Sequence, residues 1–186
     1  MRFDEFLAQN GGAAFPVDRF DGFTVDVGVA PDSEPFDSAV GIGVWVCRSD
    51  PYSDKLCANA VLTLHHVDIP LDAGDVFAML SEQQVHLVPG CRELHQELAA
   101  ATEGPGIAGI LTMQINHQLG TIDSISRSRI IATERATLIA QLTLTALHDS
   151  PVDRENIWLS VRLGAIGSRS IANKGGVQVS RMQEHP

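Results

Sequence analysis

Apolar residues alternate with more polar ones over five segments, and each segment predicts a β-strand with one buried face. The segments are 23–29, 39–47, 57–67, 107–116 and 137–147. In the last of them leucine and alanine fill one side, while the other side carries Thr137, Gln141, Thr143 and Thr145. Because threonine suits a half-buried sheet surface, this side is predicted to be wet or to border a pocket.

Two further segments are harder to assign. Residues 125–132 begin polar, with Arg127 and Arg129 on one face, and end in two isoleucines. Residues 91–99 are ambiguous from their own spacing, because Leu94 and Leu98 lie four apart, as they would in a helix.

Three segments have helical spacing. The first covers 3–9 and stops at Asn10-Gly11-Gly12. The second starts after Asp72, a typical N-cap, and carries the apolar stripe Ala73, Val76, Phe77 and Leu80. A third helix is predicted from an N-cap at Ser150 to a stop at Gly164, with a buried stripe of Ile157, Trp158 and Val161.

These elements predict an α+β domain: a single antiparallel, curved sheet of about six to seven strands, packed with two to three helices. We expect one domain over 1–165 and a mobile C-terminal tail over 166–186. Gly41 and Gly43, inside a predicted strand, indicate either close packing over that face or a bend. Trp45 and Trp158 are interpreted as core anchors.

Composition and charge limit the classes of partner that this chain could bind. At 44% hydrophobic, the 186-residue chain can bury a core without a metal or disulfides. Its formal net charge is −10 and no Lys/Arg run could track phosphates, which argues against nucleic acid and anionic membranes. No apolar stretch approaches the ~20 residues of a transmembrane segment. The acidic start lacks a signal core and a lipidation cysteine, which predicts a cytoplasmic protein, with a leaderless export route as the alternative.

Three cysteines are too few and too dispersed for a disulfide framework. Cys47 and Cys57 could form a bridge if their strands pair, although buried free thiols are the commoner use of scattered cysteines. Cys91 has no neighbouring base in sequence that would lower its pKa, so it is not predicted to be reactive.

Candidate acid–base chemistry is confined to His95 and the flanking Glu93 and Glu97. In a strand all three would share one face, as an acid–base enzyme could use, but a solvated polar face is the favoured interpretation. His65 and His66 are adjacent on a strand, so they point to opposite faces and cannot share a metal ion.

Arg127 and Arg129 would either clamp an anion or serve as ordinary surface cations on an edge strand, and the second interpretation is favoured. We find no phosphate-binding glycine loop and no nucleophile elbow. We therefore assign no catalytic, cofactor-binding or metal-binding residue, and we expect no cofactor.

Three stretches resemble the LpqN family of actinobacterial proteins, whose fold is similar to the Mog1/PsbP type. They are Phe6-Leu7 with Phe15-Pro16-Val17; the strand 58–62 with a helix and then 87–94; and the strand 140–145 with a C-terminal helix. The resemblance runs from about Phe3 to about Gly164 and implies that 91–99 is a strand. Family members are commonly envelope lipoproteins or secreted proteins without assigned catalytic residues, so no site residue is carried over.

Together these observations favour a non-catalytic binding domain. It would hold a partner protein or an apolar small molecule such as a lipid on the concave sheet face or its loops. The alternatives are a small hydrolase or isomerase built on the His/Glu cluster, and a self-associating structural domain joined through an exposed strand edge.

Overall fold

An eight-stranded sheet forms the frame of the molecule in the computed structural model, which describes residues 2–36, 38–164 and 178–181. Its order is β3-β4-β5-β9-β8-β7-β6, with every neighbouring pair antiparallel, and β1 also pairs with β5. The strands are β1 Ala14–Pro16, β3 Ser33–Phe36, β4 Ile42–Cys47, β5 Asn59–Val67, β6 Cys91–Ala100, β7 Ile107–His117, β8 Gly120–Ala132 and β9 Thr137–Leu147. The predicted α+β class and antiparallel sheet are confirmed.

A second, three-stranded sheet packs on one face of the first. It has the order β10-β2-β11, with β2 Phe23–Val29, β10 Trp158–Leu163 and β11 Gln178–Arg181. The main core lies between the two sheets and is built from alternating side chains of both, including Val25, Val27, Leu142, Leu144 and Val161. The sequence predicts one sheet only, because strand patterns show that a face is buried but not what buries it.

Two helices are described, α1 Phe3–Gln9 and α2 Ala73–Leu87, and both were predicted. The N-cap is confirmed, since the Asp75 backbone N–H donates to the Asp72 side chain at 3.0 Å. Helix α2 packs over β6, β7 and β8 on the face opposite the second sheet. No helix within the described ranges is long and apolar enough to cross a bilayer.

The third predicted helix is wrong, and so is the C-terminal helix implied by the family resemblance. Residues 151–157 are irregular, and β10 follows as a strand antiparallel to β2. Ile157, Leu159 and Val161 are all buried, and this spacing of two fits a strand as well as Ile157 and Val161 fit a helix. Ser150 caps only a turn, where its hydroxyl accepts from the Val152 N–H.

Two local predictions are confirmed. Residues 91–100 form strand β6, as the resemblance implies. Close packing surrounds Gly43 of β4, because a Cβ there would lie 2.9 Å from the Trp45 ring. Gly41 is also closely packed, with an added Cβ 2.7 Å from Pro16 Cβ, but it lies in the turn before β4 with a φ of +75°, so the prediction that it is a strand residue is wrong. The predicted tail falls largely on 165–177 and 182–186, outside the described residues; between them, β11 pairs in parallel with β2.

Candidate functional site

Among the residues that the structure describes, one face of the large sheet is only half covered. We define the open face as the side of β3, β4, β5 and β9 that points away from the second sheet. The strand register places these side chains on it: Phe36, Ile42, Val44, Val61, Thr63, Thr143 and Thr145. Phe36 and Ile42 are 55% and 41% exposed at its rim, and the other five are half-buried.

Helix α2 covers the neighbouring half of the same face, and the covered area stops at β9. Its Gln84 side chain donates to Gln141 at 2.9 Å and accepts from the Ser126 hydroxyl at 3.1 Å. Ser126, which is fully buried, also lies 2.8 Å from the Thr143 hydroxyl. This hydrogen-bonded row forms the border between the helix-covered half and the open face.

The predicted wet side of β9 is therefore confirmed only in part. Thr143 and Thr145 belong to the open face, whereas Thr137 is fully buried. The Thr137 hydroxyl donates to the Ile69 carbonyl at 3.0 Å and accepts from the Leu71 N–H at 2.8 Å. It fixes the segment that leads into α2, which is a structural role.

The His/Glu cluster is not brought together as predicted. The β6 register shifts between Glu93 and His95, so Glu93 pairs with Met113 while His95 and Glu97 pair with Thr112 and Ile110. Glu93 therefore lies on the opposite face of the sheet from the other two, and the expectation of one shared face is wrong. His95 Nε2 lies 3.4 Å from Glu97 Oε2, and both side chains are well exposed.

Arg127 and Arg129 lie on β8, an interior strand between β7 and β9, so the edge-strand interpretation is wrong. Both face the second sheet and line a cavity of about 230 Å³, here called the arginine cavity. Arg129 is only 5% exposed and donates to the carbonyls of Glu103 and Pro105 at 2.7 and 2.9 Å. Burial lowers the pKa of both guanidinium groups.

A larger cavity of about 580 Å³ lies among the loops beside Cys47, Asp50 and Val152. Its buried acid already has partners, because Asp50 accepts from the Ser150 hydroxyl at 2.9 Å and from the Tyr52 N–H at 3.0 Å. The bond from Ser150 joins two loops that are a hundred residues apart in the chain, whereas the bond from Tyr52 lies within one loop. The carboxylate is thus satisfied by the fold itself.

The cysteines are all free thiols, so the free-thiol interpretation of Cys47 and Cys57 is confirmed. Burial and then the neighbouring Cys47 and Asp50 raise the pKa of Cys57. Burial and Glu93 raise the pKa of Cys91. Raised pKa values disfavour the nucleophilic thiolate, in agreement with the prediction that Cys91 is unreactive.

The two adjacent histidines point apart, as predicted. His65 pairs with Ile139 and His66 with Leu138, so their side chains lie on opposite faces of the sheet. His65 is on the side of the open face, where burial lowers its pKa.

Sequence reasoning missed the rim of the open face. Strand β3 was not predicted, because Ser33-Glu34-Pro35-Phe36 shows no alternation of apolar residues and contains a proline. The available signal was its position: β3 is an edge strand, where proline is tolerated.

Neither a family model nor a curated protein sequence matches this chain. Among solved structures, one similar protein is LpqN of Mycobacterium tuberculosis, known from a crystal structure. That protein is described as involved in cell envelope biogenesis. It matches with a TM-score of 0.63 at 19% identity, over 80% of this chain and 87% of that chain. The chain has the LpqN fold. The predicted resemblance is therefore confirmed for the LpqN fold, and at this identity it carries no residue role across.

Proposed function

We propose that this protein is a non-catalytic binding domain that holds an amphipathic helix of a partner protein on its open face. The proposal is supported chiefly by the half-buried row of Val44, Val61 and Thr143 across β4, β5 and β9. Within the described residues α2 packs chiefly against β6–β8, and α1 packs against α2 and the end of this face at Val67 and Ile139, so neither helix covers that row.

The dimensions of the open face suit one helix. Four neighbouring strands at ~4.8 Å spacing are about 14 Å wide between the outer two. An α-helix with its side chains is about 10–12 Å across, so a single helix would lie beside α2 and complete the layer. A small apolar ligand is less well accommodated, because the seven side chains named for this face line neither the arginine cavity nor the larger cavity beside Asp50.

The chemistry of the open face also favours a helix with an apolar stripe. β-Branched valine and threonine side chains form its centre, and Phe36 and Ile42 at the rim are large and half-exposed. The same register also places the polar Asn59, His65 and Gln141 on this side. The charged groups on this side near β4, Glu34 and Arg48, pair with each other at 3.2 Å. The partner helix would therefore be recognised by apolar residues at spacings of three and four rather than by charge.

Peptide selection tests this proposal directly. A phage-displayed library of helical peptides would be selected on the purified protein, and each peptide's affinity measured by fluorescence polarisation. We expect selected peptides to share apolar residues at i, i+3, i+4 and i+7. Thr63→Lys, which places a charge at the centre of the open face, should weaken them about tenfold or more, because binding would bury that charge.

Gln96→Lys provides the matched control, since it adds the same charge at an exposed position of the edge strand β6, away from the open face. Equal weakening by both variants would contradict the proposal. So would selection of extended peptides that compete at the β6 edge, which would favour self-association instead. Binding of neutral phosphatidylcholine vesicles with the same Thr63 dependence would point to a lipid in place of a protein.

A further inference from the structure

The arginine cavity lies on the other side of the large sheet from the open face, and its size limits what it could hold. Its volume is about 230 Å³. That volume corresponds to about eight water molecules at ~30 Å³ each. It is below the range of about 300–1,000 Å³ that is typical of drug-sized ligands. Any ligand of this cavity is therefore compact.

The two guanidinium groups retain unused donors. Arg127 donates from Nη2 to the Glu155 carbonyl at 3.0 Å, and Arg129 uses its own Nη2 for the carbonyls of Glu103, Pro105 and Val161. The Nε of each is buried without a hydrogen-bond partner in the part of the chain that the structure describes. Buried donors of charged groups are normally paired, so these Nε groups indicate a missing acceptor.

Charge in the cavity favours an anion. Neither arginine forms a salt bridge with another described residue. The one acidic side chain in the lining is Glu97, which is 59% exposed and lies beside His95. Glu103 acts on Arg129 from outside the lining, and its carboxylate accepts from the Ser160 hydroxyl at 3.4 Å.

The remaining walls are mostly apolar, and Thr102 and Ser128 are their polar members. Ala99, Ala108, Ile110 and Leu159 line the cavity together with Trp158. We propose that the arginine cavity binds the carboxylate of a small organic acid with a compact apolar body. A carboxylate oxygen can accept from the Nε–H of a guanidinium, while the apolar walls enclose the body.

The proposal is independent of the open face and is tested with benzoate as the probe. Titration would be followed by NMR on the Nε–H signals of Arg127 and Arg129 and on the Trp158 indole N–H. We expect saturable shifts of these signals with benzoate and none with benzamide, its uncharged analogue. Inorganic phosphate is titrated in parallel, and tighter binding of phosphate would overturn the assignment to carboxylates.

Three variants locate the site. Arg127→Gln should weaken benzoate binding about tenfold or more, because a charge-assisted hydrogen bond is lost. Arg92→Gln removes the same charge from exposed β6 and should change the affinity less than about twofold. Glu97→Gln removes the opposing carboxylate and should tighten binding.

A cavity-filling variant keeps the test valid if Arg127→Gln fails to fold. Ala108 pairs with Arg129 and lies on the same side, so Ala108→Leu should abolish the benzoate shifts while both arginines remain. The proposal is overturned if benzoate gives no saturable shift, if Arg92→Gln weakens it as much as Arg127→Gln, or if Ala108→Leu binds normally.

Discussion

Two threonines of β9 have the same side chain and the same strand face but different surroundings. Thr137 is fully buried and satisfies two backbone groups of the segment that precedes α2. Thr145 is half-buried on the open face, where solvent reaches it. The energetic consequence of removing the hydroxyl should therefore differ between the two positions.

We predict that Thr137→Val destabilises the protein by about 1–3 kcal/mol, because the Leu71 N–H and the Ile69 carbonyl lose their partner inside the core. Thr145→Val is the matched control and should change the free energy of unfolding by less than ~0.5 kcal/mol. Urea denaturation followed by circular dichroism measures both. Equal effects would show that Thr137 does not anchor the α2 lead-in.

Gly109 on β7 marks the contact between the large sheet and α2. A Cβ at this position would lie 2.3 Å from Phe77 Cε2 and 2.5 Å from Cδ2. The absence of a side chain at Gly109 thus allows the ring to pack directly on the strand backbone.

We predict that Gly109→Ala destabilises by about 1–3 kcal/mol, since overpacking outweighs the ~0.4–1 kcal/mol gained from a less flexible unfolded chain. The cost of Gly109→Ala should shrink in a Phe77→Leu background, where the ring is gone. A double-mutant cycle from denaturant unfolding measures the coupling. Strict additivity would mean that the ring is not what excludes a side chain.

At the scale of elements, a helix or strand is predicted correctly from the sequence where its own capping and periodicity match the structure that its neighbours impose. Helix α2 has an N-cap and an apolar stripe, and both are used as predicted. Strand β10 was predicted as a helix because Ile157 and Val161 fit either period, and pairing with β2 settled the choice. Pairing between distant segments is decided by long-range packing, which a local pattern does not contain.

The N-cap of α2 gives a prediction at this scale. Asp72→Ala should destabilise the protein by ~1 kcal/mol, because the Asp75 N–H loses its side-chain acceptor at the start of the helix. Asp72→Asn keeps an acceptor oxygen and should cost much less. Hydrogen exchange at the Asp75 amide provides a local readout, and equal exchange in both variants would contradict the cap.

The candidate sites are also decided between elements. The open face requires the order β3-β4-β5-β9, in which β5 and β9, distant in sequence, become neighbours. Glu93 lies on the opposite face from His95 and Glu97 because of one bulge in β6. No residue type at this position predicts the bulge. The arginine cavity depends on β8 being interior and on β10 passing close to it.

At the scale of the whole molecule, three layers stack: α2, the eight-stranded sheet and the three-stranded sheet. Within the described ranges, the main sheet is thus buried on one side by the second sheet and on the other side only under α2 and α1. His65 lies on this less covered side, half-buried, and its pKa is lowered by burial. Folding therefore disfavours its protonated form.

We predict that His65 makes overall stability depend on pH. The unfolded histidine has a pKa of about 6.5 and the folded one is lower, so the unfolded state binds the proton first as the pH falls. The contribution is fully present above about pH 6.5 and is lost as the pH falls toward the folded pKa. His65→Gln should lose less stability than the wild type between about pH 7.5 and 5 in urea denaturation. Parallel pH curves for the two proteins would rule this contribution out.

The α+β class, helices α1 and α2, most strands of the large sheet and the resemblance to the LpqN fold are all predictable from the sequence. These follow from periodicity and capping, which act over a few neighbouring residues. Only the three-dimensional structure shows that a second sheet exists, that β8 is interior and that the described residues leave half of one sheet face uncovered. Those features follow from which distant segments pair and pack, because the free energy that selects them comes from contacts between elements.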